Sequence, residues 1–368
     1  MNTCPYFPRC TGCSHRDLSY DDQRHLKVAR LQNLFSEANV VAPEPEFISC
    51  GQQGLRHRMD FTIQFNEATD KFDFGFYDQD RGLLDISECR QLAPELQSVF
   101  AEFRAFKFFH GQAPLKKGSV RLRVGPGGIK GCWLDFSNLD IKEFLADQTL
   151  LLSLLHAGYF VEIGQKGKKL IQEGSLLKLS DPSPQIWFAT QGLAMLGLIS
   201  DFTQPSWITG NALVAQVDTW LKGLDEESNI LEFGAGLGQF TLPFLKKGLH
   251  VRAFELSESA VSSLRASARL HQLEKHLSVF IGDFHRQVPA KAKADLAFVN
   301  PARSGLKNFN TALLETAPEK IIYVSCFPES MIEDAKVLSG KYKIESVKII
   351  DQFPQTSHFE SCMLLKKI

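Results

Sequence analysis

From about residue 207 onward the chain runs through short apolar segments separated by amphipathic ones: NILEF, HVRAFEL, LSVFIGD, ADLAFVN, KIIYVSC, YKIESVKII and SCMLLKK. β-type runs that alternate with helical stretches bury both faces of one sheet. That pattern restricts this part of the chain to a mainly parallel, doubly wound α/β domain. Ligands of such sheets bind beyond the carboxyl ends of the strands, so the chemistry is sought in the turns that follow them.

The upstream half has a different texture. Residues 16–38 read as a helix, with Leu26, Val28, Leu31, Leu34 and Phe35 near helical spacing. Residues 56–90 read as strands, because Phe61, Ile63 and Phe65 alternate with polar neighbours, as do Phe72, Phe74 and Phe76. The stretch 119–135 reads as a hairpin turned by Pro126-Gly127-Gly128, and strand-like sequence continues to about residue 190. The expected organisation is a central, mixed α+β unit over 16–200 and a catalytic domain over 201–368, with a cysteine-bearing region formed by 1–15 and 85–95. A length of 368 residues accommodates this.

The chain is 44% hydrophobic and 23% charged, as in globular proteins. It has no apolar run of 18 residues, so no membrane span is expected. The start, MNTCPYFPRC, lacks the features of a signal peptide, and a cytoplasmic monomer is expected. In a reducing compartment the eight cysteines are not a disulfide framework. A net charge of −1 neither supports nor excludes a nucleic-acid partner. The basic pairs Lys116-Lys117 and Lys168-Lys169, with Lys166, are candidate phosphate contacts or solvated loops.

The first strand of the alternating region runs into a turn with glycines at 234, 236 and 238, where a backbone can approach a ligand closely. The next strand ends at Glu255, placed to accept hydrogen bonds from ribose hydroxyls, and the third ends at Asp283, placed to face an adenine amino group. Acidic residues at the ends of strands one to three resemble the class I S-adenosylmethionine methyltransferase pattern. A dinucleotide site shares the first two features, and the second half of the domain decides between them. There the fourth strand ends in Asn300-Pro301-Ala302-Arg303-Ser304-Gly305 and the fifth in Tyr323-Val324-Ser325-Cys326-Phe327-Pro328, and Ser357-His358-Phe359-Glu360-Ser361 lies near the C-terminus.

Carbon 5 of a uracil is a poor nucleophile. A thiolate that adds to carbon 6 turns the ring into an enolate, whose carbon 5 can attack a sulfonium methyl. A base must then remove the carbon 5 proton so that the thiolate can leave. Cys326 suits the nucleophile and Glu360 the base. The three segments resemble the uracil-5 RNA methyltransferase family, whose members show an Asp/Asn-Pro-Pro/Ala-Arg-x-Gly turn, a Tyr-x-Ser-Cys-Asn-Pro segment and a His-x-Glu segment. The resemblance covers most of the chain. It implies a Rossmann-like class I methyltransferase domain, S-adenosyl-L-methionine as cofactor and RNA as partner, with 23S rRNA favoured over tRNA. It also implies cofactor contacts from Gly234, Gly236, Gly238, Glu255, Asp283 and Asn300, and substrate contacts from Arg56, Arg58, Arg303 and His358.

Cys4, Cys10 and Cys13 have the spacing Cys-x5-Cys-x2-Cys, and Cys89 follows in DISECRQL. Four thiolates can hold an iron–sulfur cluster or zinc, and spacing does not separate the two. The family resemblance, in particular to the shorter rRNA enzymes without an N-terminal barrel, implies a [4Fe-4S] cluster that orders an RNA-binding surface in the central domain. Cys50, Cys132 and Cys362 read as small buried hydrophobes.

Three departures from the family pattern bear on the cofactor pocket. A glutamine of the usual Phe-Phe-Gln-x-Asn segment is replaced in Trp207-Ile208-Thr209-Gly210-Asn211, which keeps Asn211 and leaves Thr209 at the cofactor-facing position. Gly234 stands where the family has an aromatic residue, and Phe327 where it has asparagine. Three other readings remain: a tRNA uracil-5 methyltransferase, a cytosine-5 RNA methyltransferase, and a non-catalytic RNA-binding protein on a decayed methyltransferase scaffold. Cytosine enzymes use a second cysteine in the Asn-Pro turn, which NPARSG lacks, and the retained Cys326 and Glu360 speak against decay.

Overall fold

The computed structural model describes residues 4–110, 115–136, 139–146, 148–282 and 293–368. An eight-stranded sheet carries the C-terminal half. Its order is Glu46–Ile48, Tyr342–Ile350, Glu360–Lys367, Lys320–Ser325, Leu296–Val299, Asn229–Phe233, His250–Glu255 and Leu277–Ile281. All neighbours are parallel except Glu360–Lys367, which runs antiparallel to both of its own. Apart from the edge strand Glu46–Ile48, the chain starts this sheet at Asn229–Phe233, builds out to one edge, then returns to build the other side from Leu296–Val299. The crevice beside Asn229–Phe233 is therefore the topological switch point, where ligands of such sheets bind.

Both faces of the sheet are covered, which is why its strands read as near-continuous apolar runs. Ile230, Val251, Leu296 and Ile322 pack against helices Trp207–Trp220, Thr241–Lys246 and Glu258–Leu270. The alternate residues Leu231, Ala297, Val299 and Ile321 face helices Phe309–Thr316 and Pro328–Leu338.

A third helix on that second face is Tyr20–Glu37, whose Leu31 and Phe35 join the same core. With the strand Glu46–Ile48 it packs on the catalytic sheet, whereas the sequence analysis had grouped it with the central unit. Its buried face is Gln23, Lys27, Leu31 and Phe35, and Leu26 is half exposed. Hydrophobic spacing misplaced that face because two of its members are polar residues satisfied by specific partners. Lys27 Nζ meets Asp351 at 2.7 Å with both side chains buried. Gln23 Nε2 donates to the His15 and Leu18 carbonyls.

The central region forms a second eight-stranded sheet over residues 58–180, antiparallel except where Lys130–Asp135 runs parallel to Tyr159–Ile163. The expected hairpin is there: Lys117–Val124 pairs with Lys130–Asp135 across Pro126–Gly128. Phe61, Ile63, Phe72 and Phe74 pack against Leu96, Phe100 and Phe103 of helix Pro94–Arg104. Phe74 is thus core and Phe76 is packed against it. A hairpin of Gln185–Thr190 and Leu193–Gly197 leads into the catalytic domain. No helix among the described residues is long and apolar enough to cross a membrane.

Candidate active site

Cys326 and Glu360 are brought together by strand register. Ser325, the last residue of its strand, pairs with Ser361, and Ile350 pairs with Glu360. One step past Ser325 the thiol therefore lies at the level of Glu360. The Ser361 hydroxyl donates to the Ser325 carbonyl at 2.9 Å and locks this register.

Glu360 is buried and its pKa is pushed up to about 8 by loss of hydration. Gln352 Nε2 donates to its Oε2 at 3.3 Å. Cys326 is half-buried. Burial and the neighbouring Glu360 carboxyl raise its pKa, while a hydrogen bond and the positive charge from Arg303 lower it. Arg303 is the thiolate-stabilising group that sequence alone did not single out.

Asp334, from the helix that follows Cys326, holds the Arg303 turn in place. Its carboxylate accepts from the Leu306 amide at 2.7 Å, the Tyr323 hydroxyl at 2.6 Å and Asn310 Nδ2 at 2.6 Å. Gly305 has φ +72°, and a Cβ there would meet Asp334 Oδ2 at 2.7 Å, so the glycine of NPARSG is required by this hub. His358 is partly exposed, and burial together with Arg303, Arg30 and Lys27 pulls its pKa down. Of these cations, Arg303 also acts on the Cys326 thiol.

The glycine turn lies at the switch point. Gly234 has φ +77°, and a Cβ on it would meet the Asn300 carbonyl oxygen at 2.3 Å. The departure from an aromatic residue is thus a backbone requirement of this chain: only glycine tolerates that approach. Gly236 faces open space, and Gly238 packs against Leu264. Glu255 stands at the lip. Its Oε2 accepts from the Gly236 amide at 2.9 Å, and its Oε1 from the Leu256 and Ser257 amides at 2.8 and 2.9 Å. These bonds orient the carboxylate and leave lone pairs for hydroxyl donors. The Asn300 amide donates to the Phe233 carbonyl at 2.9 Å, which fixes the fourth strand end beside the turn. An acidic lip, an open glycine and a close Asn300 backbone fit the nucleoside end of S-adenosylmethionine. Asp283 lies outside the described residues.

Sequence reasoning gave no role to Glu232, which is fully buried with its Oε1 unpartnered and its Oε2 bonded to Thr241 at 2.7 Å. Its pKa is pushed up to about 8 by burial. An acidic residue inside an apolar strand one turn before glycines was the available signal.

Two expected cofactor contacts are placed less directly. Thr209 is fully buried with an unpartnered hydroxyl. Asn211 spends its Nδ2 on the Ala189 and Trp207 carbonyls, both at 2.9 Å, and its Oδ1 on the Gln191 amide at 3.0 Å. It staples the hairpin before the catalytic domain to helix Trp207–Trp220. The substrate candidates also divide. Arg56 lies over the Phe353 ring at 5.9 Å, in the loop that leads to His358. Arg58 pairs with Asp60 at 3.2 Å and donates to the Thr203 carbonyl at 3.1 Å.

Among the described residues, Cys4, Cys10, Cys13 and Cys89 lie in one neighbourhood, though no three of their sulfurs stand within 4.8 Å of one another. Cys10 feels Cys4 and Cys13, and Cys89 feels Cys13 and Cys10, with burial raising the pKa of both. A set of four sulfur donors fits an iron–sulfur cluster or zinc. The loop just beyond docks on the active-site side: the Ser14 and His15 amides both donate to the Gln355 carbonyl at 2.9 Å. Cys132 and Cys362 are buried, as expected of small hydrophobes, and Cys50 is half-buried.

Comparison with known proteins gives a consistent picture. Residues 290–368 match the tRNA (Uracil-5-)-methyltransferase family and residues 210–321 the methyltransferase small domain family. The chain is 36% identical to an uncharacterized RNA methyltransferase of Bdellovibrio bacteriovorus, over 99% of this chain and 95% of that one. It is 28% identical to the 23S rRNA (uracil(1939)-C(5))-methyltransferase RlmD of Photorhabdus laumondii, over 99% of this chain and 82% of that one. The fold is shared with the Pyrococcus abyssi tRNA (uracil-54, C5)-methyltransferase solved with S-adenosyl-L-homocysteine. The TM-score is 0.73 at 21% identity, covering 97% of this chain and 86% of that one.

Proposed function

The chain belongs to the uracil-5 RNA methyltransferase family, and from that membership we propose that it methylates carbon 5 of a uridine in 23S rRNA through a covalent Cys326 adduct. The observation that carries the mechanism is the placement of Cys326 and Glu360 at paired strand ends with Arg303 on the sulfur.

Arg303 stabilises the Cys326 thiolate, which adds to carbon 6 of the uracil. The ring electrons move towards the carbon 4 carbonyl and leave carbon 5 nucleophilic. Bound S-adenosylmethionine supplies the methyl group. Glu360, held by Gln352 in a dry site, then takes the carbon 5 proton. The electron pair restores the ring double bond as the carbon 6–sulfur bond breaks, and Cys326 leaves as thiolate. A carboxyl with its pKa near 8 is a stronger base than an ordinary glutamate, which suits removal of a carbon-bound proton. The cofactor's nucleoside end would rest on Gly234, Gly236 and Gly238 with Glu255 and Asn300, and Asp283 is its proposed adenine partner.

Cys4, Cys10, Cys13 and Cys89 would hold a [4Fe-4S] cluster, away from the bond-making and ordering the loop that docks on Gln355. A target in ribosomal RNA is favoured by full-length relatives named for 23S rRNA; a tRNA uridine is the alternative. The test is to map 5-methyluridine in RNA from cells with and without the gene. Loss of one 23S rRNA position is the expected result. Loss from tRNA would move the target, and 5-methylcytidine as the lost nucleoside would overturn the uracil assignment.

A further inference from the structure

At the opposite end of the catalytic sheet from these loops, three side chains converge that the methyl-transfer chemistry does not use. Glu227 lies just before the strand Asn229–Phe233, His250 begins the neighbouring strand, and His276 directly precedes the third, Leu277–Ile281. One ligand atom from each lies within 4.8 Å of the other two. The Nε2 of His250 and the Nδ1 of His276 are 3.1 Å apart, with the rings nearly perpendicular at 87°. A Glu227 carboxylate oxygen meets the same His250 Nε2.

The His250 nitrogen has a single in-plane position for a proton or an electron pair. With a carboxylate oxygen and a second imidazole nitrogen both crowded onto it, one proton cannot bridge all three. A cation placed between them accepts all three pairs. The backbone is arranged to keep them there. Glu227 adopts φ +78°, a left-handed conformation that costs a non-glycine residue and is retained where the surroundings require it. The Glu227 amide donates to the Gly248 carbonyl at 3.2 Å and the His250 amide to the Ser228 carbonyl at 2.9 Å. The two turns that present the ligands are thereby tied to each other.

We propose that Glu227, His250 and His276 form a binding site for a divalent transition metal of borderline softness, zinc foremost, that staples the amino ends of three adjacent strands. Two imidazoles and one carboxylate are a zinc donor set. The exposed Glu227 leaves the fourth position to water. A five-residue strand spans roughly 16 Å, so the metal stands that far from the glycine turn and is structural.

The test uses the full chain with zinc and cobalt ions as probes. Zinc is counted after equilibrium dialysis in the wild type, in Cys10→Ser/Cys13→Ser, and in His250→Gln, His276→Gln and Glu227→Gln. The two cysteine changes are expected to leave one equivalent in place, either histidine change to remove it, and Glu227→Gln to weaken it at least about tenfold. The Glu227 side chain is 70% exposed, so its substitution leaves folding intact. Cobalt in the Cys10→Ser/Cys13→Ser protein is expected to give visible bands without the intense near-ultraviolet thiolate band. Equal zinc content in the wild type and all three ligand variants, or cobalt bands of thiolate type only, would overturn the site.

Discussion

The Arg303 guanidinium lies beside the Cys326 thiol and favours its ionised form. Among the influences on this thiol, burial and the Glu360 carboxyl push towards the neutral form, and Arg303 is the side chain that pushes back. Arg303→Gln should therefore raise the thiol pKa. Alkylation of Cys326 by iodoacetamide at pH 7.5 is expected to slow about tenfold, the equivalent of one pKa step. Arg303→Lys should recover part of the rate. An unchanged alkylation rate in Arg303→Gln would remove Arg303 from this role.

In the proposed mechanism Cys326 and Glu360 both work deprotonated, and both titrate above their ordinary values. The rate of methylated product release in a single turnover should accordingly climb with pH through about 8, where Glu360 titrates, instead of levelling above pH 5.5. Cys326→Ala should abolish turnover and leave S-adenosylmethionine affinity nearly intact. Glu360→Gln should permit addition and methyl transfer but not release, so that a covalent RNA adduct accumulates on a denaturing gel. A pH-independent rate between 6 and 9, or turnover by Cys326→Ala, would refute the assigned roles.

What the sequence disclosed follows from where each signal lives. The doubly wound sheet was legible because strands buried on both faces are apolar throughout, and the reacting loops were legible because such sheets place them at strand ends. Arg303, although part of a recognised turn, was assigned to substrate, since its contact with Cys326 joins two strand ends. Gln352 and Asp334 carry no local signal: each acts across register or across a helix packing. The three-residue strand Glu46–Ile48 pairs with Lys348–Ile350 some 300 residues away, and no short-range pattern encodes that. Gly234 looked like a weakened pocket in the sequence and is instead required by the Asn300 carbonyl beside it.

The Lys27–Asp351 pair gives a stability prediction. Both side chains are buried, and the lysine also donates to the Phe353 carbonyl at 3.0 Å. Removing one partner leaves an uncompensated buried charge. Lys27→Met should cost about 3–5 kcal/mol in urea unfolding, and Lys27→Met/Asp351→Leu should recover most of it. Equal losses in the single and double variants would show that the pair is not coupled.

Glu232 makes the opposite prediction. Its carboxyl holds a proton more tightly in the folded chain, with a pKa of about 8 against 4.5. Folding stability therefore falls as pH rises between those values, and is flat outside them. Glu232→Gln keeps an acceptor for Thr241 and removes the titration. Its melting temperature should exceed the wild type's at pH 8 and approach it near pH 4.5; parallel curves at all pH values would contradict the buried, unpaired carboxyl.

The last prediction concerns the cysteine quartet and the base. The Ser14 and His15 amides hold the Gln355 carbonyl, and Gln23 Oε1 accepts from the Gln355 amide at 2.9 Å. Gln355 itself sits at φ +67°, a conformation that persists only while its surroundings enforce it. Three residues later comes His358, and then Glu360. Opening the quartet frees residues 4–15 from Cys89 and loosens the two backbone bonds on the Gln355 carbonyl. Cys13→Ser, or removal of the metal by a chelator, should raise hydrogen exchange in residues 352–358 while the strand Lys320–Ser325 stays protected. Adduct formation by Cys326 should then fall less than proton removal by Glu360, so covalent RNA adduct should build up in the wild-type sequence at both catalytic positions. Unchanged exchange in 352–358 after metal loss would mean that the quartet serves the RNA surface alone and has no hold on the base.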